Sequence, residues 1–138
     1  MTLALTKLLF DTGLFILIWI VQLVIYPSFL HYSEENMKRW HSVYTSRISL
    51  VVMPLMLGQV VVYAYSLISG FTISALLISV LILFNWMVTF LKAVPLHNSI
   101  EKEESTLEAR QALVKINWLR TIAWTLILLI SLSTFYAK

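Results

Sequence analysis

Four runs of this chain are long, continuously apolar and free of the alternation that marks a barrel strand. They constrain the fold more than anything else in it. They lie at about residues 8–30, 48–69, 71–91 and 117–137. A bilayer core takes about 20 apolar residues of helix, so each run is expected to span once. The fourth is purely apolar only from Thr121, and Asn117 and Trp118 extend it into the interface. Backbone groups in lipid must pair internally, which leaves helices or closed barrels, and barrel strands would alternate. The expected fold is therefore all-α: a polytopic membrane protein, one four-transmembrane-helix bundle over residues 1–138. Charged residues make up only 12% of the chain, against 59% hydrophobic. A soluble domain carries about 25% charge to cover its surface. The first run is too long for the apolar core of a cleaved signal peptide, and no small-x-small site follows it.

The connections suggest an orientation. Only Ser69, Gly70 and their neighbours separate the second and third runs, a tight hairpin with Gly70 as a natural residue after a helix end. The other two links, about residues 31–47 and 92–120, are long and charged. Four crossings put these links on one side and both termini on the other. Eight of the ten basic residues lie in the links, leaving Lys7 and Lys138 opposite. The positive-inside rule then places the links in the cytoplasm and the termini outside a cell membrane. Basic residues flanking apolar runs serve this orientation, so the net charge of +3 is not read as nucleic-acid binding. The links are expected to be helical. Ser33 before Glu34 and Glu35 has the pattern of an N-cap with acids in the first turn. A long second helix would start there and be kinked at Pro54, which frees the carbonyl of Leu50. Residues 99–111 read as helix running into the fourth span, so helices 2 and 4 are expected to extend into the cytoplasm. Pro95 is expected to end the third helix before His97 and Asn98.

Polar residues inside a bundle are costly and face the interior or a wet cavity. Gln22 and Tyr26 share a face of the first helix, four residues apart. His41 and Tyr44 share a stripe on the second, with Gln59 deeper. Asn85, Thr89 and Lys92 form a stripe on the third. Asn117, Arg120, Thr121 and Trp124 share a face of the fourth. Most of these fall in the half bearing the charged links, which suggests a polar pocket opening there. Its candidate catalytic residues are His41, His97 and Arg120, and its candidate substrate-binding residues are Gln22, Tyr44, Asn85, Asn98 and Asn117. The competing readings are plain. Gln22, Gln59 and Asn85 as interhelical hydrogen bonds would each contribute roughly 0.6 kcal/mol. Lys92 would snorkel to headgroups, Arg120 would bind lipid phosphate, and the five tryptophans would form an interfacial belt or pack. Asp11, near the outer interface, reads as a hydrated charge.

His31 with Glu34 or Glu35, and His97 with Glu101, have the one-face spacing of a metal-ligating pair. No H-E-x-x-H motif supports a metal, so none is assigned. Haem is the alternative cofactor. The absence of cysteine excludes a disulfide framework, a thiol nucleophile and an iron–sulfur cluster. Three scattered glycines provide no phosphate-binding loop. The bundle is complete alone or dimerises through an exposed aromatic face, and the sequence leaves that open.

Two stretches carry a resemblance. Val94-Pro95-Leu96-His97-Asn98-Ser99-Ile100 and Lys115-Ile116-Asn117-Trp118-Leu119-Arg120-Thr121 resemble the C-terminal half of the anthrone-oxygenase-like family of small four-helix membrane proteins. The resemblance covers the last third of the chain and departs at His97, where the family more often has Asn. It implies chemistry on polyketide anthrones or quinones without a conventional cofactor, with Asn98, Asn117 and Arg120 as shared site residues. The amides would fix a phenolic or carbonyl oxygen, and Arg120 would stabilise an enolate or phenolate. His41 or His97 would serve as general base. The expected function is an oxidoreductase or binder of a flat, apolar, oxygen-bearing molecule. The alternatives are a haem protein and a non-enzymatic accessory subunit.

Overall fold

The computed structural model describes residues 2–102 and 106–137. It contains four helices, α1 (Thr2–His31), α2 (Glu34–Ser69), α3 (Ile73–Glu101) and α4 (Leu107–Tyr136), each long and apolar enough to cross a membrane. No strand occurs among the described residues. α4 packs against both α1 and α3, and α2 packs across α1 and α3. Two apolar clusters hold the bundle. One, around Leu14, Met56, Ile78 and Ile127, lies toward the termini. The other, around Phe29, Met37, Ile100 and Leu113, lies toward the charged links. At Gly58 on α2 the Phe10 ring of α1 lies so close that an added Cβ would overlap it. Glycine is what lets these two helices approach there.

The helix starts follow local chemistry. Ser33 accepts from the backbone N–H of Asn36 at 3.4 Å, with Glu34 and Glu35 in the first turn of α2. Thr72 and Thr106 cap α3 and α4 in the same way, each at 3.2 Å. These side chains satisfy N–H groups that a helix start leaves unpaired. Residues 99–111 do not form one helix. Residues 99–101 complete α3, and Thr106 opens α4; residues 103–105 lie outside the described residues. α2 runs through Pro54 as continuous helix. Gly70 closes α2 with its N–H on the Ser66 carbonyl at 3.1 Å. Its φ of −177° is extended backbone, so the hairpin does not depend on a glycine there.

Pro95 does not end α3, which corrects the expectation from sequence. A π-helical turn at Thr89–Ala93 precedes it, and the N–H of Val94 reaches back to the Thr89 carbonyl. A proline ring cannot donate and clashes with the carbonyl four residues earlier. The wider π turn shifts the hydrogen-bond register just before the proline and lets the helix continue. α1 uses the same device. Val21–Ile25 is π-helical, the N–H of Tyr26 reaches the Val21 carbonyl, and Pro27 follows. Such bulges re-aim the side chains that come after them and concentrate at functional sites. Here Tyr26 follows one and His97 the other. α1 then ends against α4, where the Arg110 Nη1 donates to the carbonyls of Phe29 at 3.1 Å and Tyr32 at 2.7 Å. A buried guanidinium thus caps a helix C-terminus, satisfying carbonyls that lack helical partners.

Candidate functional site

Between the two apolar clusters lies a cavity of about 280 Å³, lined by all four helices. Its walls are mostly apolar. Its polar groups include Tyr26 from α1, Tyr44, Thr45 and Ser49 from α2, Thr89, His97, Asn98 and Glu101 from α3, and Arg120 from α4. Its rim includes the exposed side chains of Ser49 on α2 and Phe90 and Val94 on α3. The opening is therefore lateral, between α2 and α3. Ligand cavities in proteins run from about 300 Å³ upward, so this one suits a small ring system.

Four side chains form a continuous hydrogen-bonded chain along the cavity. The Tyr26 hydroxyl lies 3.0 Å from the His97 Nε2. The His97 Nδ1 lies 2.8 Å from the His41 Nε2. The His41 Nδ1 lies 3.0 Å from the Glu101 Oε1. Thr45 also donates to that carboxylate oxygen, at 2.7 Å. His41 is fully buried, whereas the Glu101 side chain keeps 28% of its surface exposed. The edge of the Phe29 ring packs on His41 and holds it in place. Every ring nitrogen of the two histidines is thus engaged. Haem or metal ligation by either would break one of these bonds, and the third histidine, His31, is exposed at the bundle end. No group of three or more metal-ligating side chains occurs among the described residues.

Arg120 supplies the charge. It is 6% exposed, its guanidinium lies 5.2 Å from the centre of the Trp124 ring, and it faces the Tyr26 hydroxyl. Its Nη1 donates to the Asn117 Oδ1 at 3.1 Å. Among the described residues it has no carboxylate partner, and its Nε has no hydrogen-bond partner. Asn117 is held in turn. Its Nδ2 donates to the Gln22 Oε1 at 2.9 Å, and the Gln22 Nε2 donates to the Val114 carbonyl at 3.3 Å.

The candidate residues therefore separate into groups. His97, Tyr44, Asn98 and Arg120 line the cavity, with Asn98 exposed at its edge. His41 stands one hydrogen bond behind His97. Gln22 and Asn117 lie behind Arg120 and orient it; neither lines the cavity. Asn85 does not line the cavity, and among the described residues both its amide atoms lack partners. Replacing a buried amide without partners by an apolar group relieves its desolvation. Asn85→Leu is expected to raise stability by about 1 kcal/mol, read as a higher midpoint of thermal unfolding. A lowered midpoint would show that the amide is paired.

Sequence reasoning omitted Tyr26 and Glu101 from the site. Tyr26 had a signal, its shared face with Gln22. Glu101 had one too, the four-residue spacing from His97, but the spacing alone pointed to a metal pair. Asp11 is also corrected. It is not a hydrated interfacial charge but fully buried. Gln59 donates to its Oδ1 at 2.8 Å and Tyr63 to its Oδ2 at 2.7 Å. In comparisons with protein families, with curated proteins and with solved structures, nothing matches the chain.

Proposed function

We propose that the protein binds a flat, apolar molecule bearing a phenolic or enolic oxygen, of the quinone or polyketide kind, and holds that oxygen as an anion against Arg120. The observation that carries this reading is the state of Arg120. A buried guanidinium with no carboxylate partner among the described residues is expensive. Interhelical bonding accounts for Gln22 and Gln59, but it does not account for this cation facing an apolar cavity. A ligand anion would supply the missing counter-charge, and Tyr26 stands beside it as the nearest proton carrier. The lateral opening between α2 and α3 suits a molecule dissolved in the bilayer. The resemblance of residues 94–100 and 115–121 to the anthrone-oxygenase-like family favours the same chemistry. Such a protein would act as a general base toward the bound oxygen, the first step of cofactor-free oxidation of an electron-rich ring. The test is binding of 2-hydroxyanthraquinone, a flat phenol whose colour reports its ionisation, to the purified chain in phosphatidylcholine nanodiscs. Binding in the ionised, red-shifted form is expected, with loss in Arg120→Leu. Equal binding by the variant would overturn the reading.

The same proposal places the charged links in the cytoplasm, on the distribution of basic residues. Single cysteines introduced at Ser42 and Ser133, both exposed, are expected to react with an impermeant maleimide from the cytoplasmic and outer sides respectively. The opposite pattern would reverse the orientation.

A further inference from the structure

We infer that Tyr26, His97, His41 and Glu101 form a relay that carries the ligand's proton from the buried Tyr26 end of the cavity to the part-exposed Glu101, and so to water, at the charged-link end. This rests on the reading of the cavity given above. The geometry supports it in two ways. First, the three contacts of 3.0, 2.8 and 3.0 Å leave no gap between a phenol in the cavity and a carboxylate with exposed surface. Second, the chain has one consistent direction when Glu101 is a carboxylate and both imidazoles are neutral. A carboxylate only accepts, so the His41 Nδ1 carries a hydrogen and its Nε2 does not. The His41 Nε2 then accepts from the His97 Nδ1, which leaves the His97 Nε2 to accept from the Tyr26 hydroxyl. Every hydrogen points from Tyr26 toward Glu101.

The transfer balances without a redox partner. The ligand O–H bond breaks as its proton passes to the Tyr26 oxygen. The Tyr26 proton passes to the His97 Nε2, the His97 Nδ1 proton to the His41 Nε2, and the His41 Nδ1 proton to Glu101. The ligand is left as an oxyanion beside Arg120, both imidazoles end neutral in their other tautomers, and Glu101 ends as a carboxylic acid that releases the proton to water. No imidazolium is left behind. That outcome matters because Arg120 already places a positive charge at this cavity, and a second buried cation would be repelled. The titratable groups around the path are Arg120 and Tyr44 on its cavity side. Thr45 and Phe29, which touch Glu101 and His41, are neutral. His41 does not line the cavity, so its complete burial between His97 and Glu101 has a purpose in this scheme that ligand contact does not provide.

The experiment follows the colour change of 2-hydroxyanthraquinone by stopped flow after mixing with the full chain in nanodiscs. Positioned proton-transfer groups contribute about a hundredfold or more to such rates. His41→Gln keeps an amide able to hydrogen-bond but cannot relay a proton, and Glu101→Gln removes the acceptor. Each is expected to slow ionisation at least about tenfold, while probe affinity falls less than about threefold. Glu101→Asp should recover part of the rate. If His41→Gln fails to fold, the part-exposed Glu101 pair still decides the matter. Wild-type ionisation rates in Glu101→Gln would overturn the path and leave the cavity reading standing. A wild-type protein that does not bind the probe would overturn both.

Discussion

Arg120→Leu is expected to abolish binding of an acidic ring ligand and, at the same time, to make the protein more stable. The two effects have one cause. The guanidinium lies at 6% exposure, donates to Asn117 and faces the Tyr26 hydroxyl, and among the described residues its Nε has no hydrogen-bond partner. Exchanging a buried charge that lacks an ionic partner for a well-packed aliphatic group stabilises a protein by about 1–3 kcal/mol. The gain is reduced by the Asn117 Oδ1, which loses its donor at a cost of about 1 kcal/mol. Against a bound anion the sign reverses. Removing one partner of a buried charge pair costs about 2–5 kcal/mol, which is roughly 30-fold or more in Kd. Thermal unfolding and probe titration in the same nanodiscs read both signs. Arg120→Lys gives an intermediate case, since an ammonium keeps the charge but loses the planar fork that meets Asn117 and the ligand together. A variant that loses stability and keeps its affinity would show that Arg120 is a structural tie.

Asp11→Ala is expected to have the opposite profile, with a large loss of stability and little effect on the ligand. Asp11 lies toward the termini, fully buried among α1, α2 and α4. It accepts from Gln59 and Tyr63, and Gln59 accepts from the indole N–H of Trp124 at 3.3 Å. The Lys7 ammonium sits 5.1 Å from the centre of the Tyr63 ring and donates to Ser66. One carboxylate therefore joins three helices. Its removal strands the Gln59 amide and the Tyr63 hydroxyl in an apolar cluster, at about 1–3 kcal/mol for each orphaned group. A total near 3 kcal/mol is expected, seen as the lowest unfolding midpoint among these variants. Tyr63→Phe, which removes one donor, should cost about 1 kcal/mol. Probe affinity should stay within about threefold, because Asp11 does not line the cavity. An Asp11→Ala protein with an unchanged midpoint would mean that the carboxylate ties nothing.

These two residues show where sequence reasoning stops. Asp11 and Arg120 are each a single charge near the end of an apolar run; from sequence Asp11 reads as a hydrated interfacial charge, and Arg120 either as a site residue or as a lipid-phosphate contact. What separates them is the neighbours that other helices bring, a glutamine and a tyrosine for one and a cavity shared with Tyr26 and His97 for the other. Hydropathy reports the cost of placing a charge in lipid but not what offsets that cost. Asn85 shows the same limit from the other side. The stripe expected with Thr89 and Lys92 does not stay together: Thr89 lines the cavity beside His97, Lys92 is exposed away from it, and Asn85 is buried without lining it.

The four-span architecture was legible because it rests on one-dimensional quantities. Run length against bilayer thickness, and the need to pair every backbone group within a segment, decide it without any partner. The caps at Ser33, Thr72 and Thr106 are local in the same sense, since each bond spans three residues. The site is not local. The Tyr26–His97 contact joins positions 71 apart and the His41–Glu101 contact positions 60 apart. Whether they meet depends on two π turns whose extra residue rotates everything after them. A proline in the sequence announces that a helix must break or adjust. Only the packing of α1 and α3 against α4 decided that both would adjust, and so turned Tyr26 and His97 toward each other.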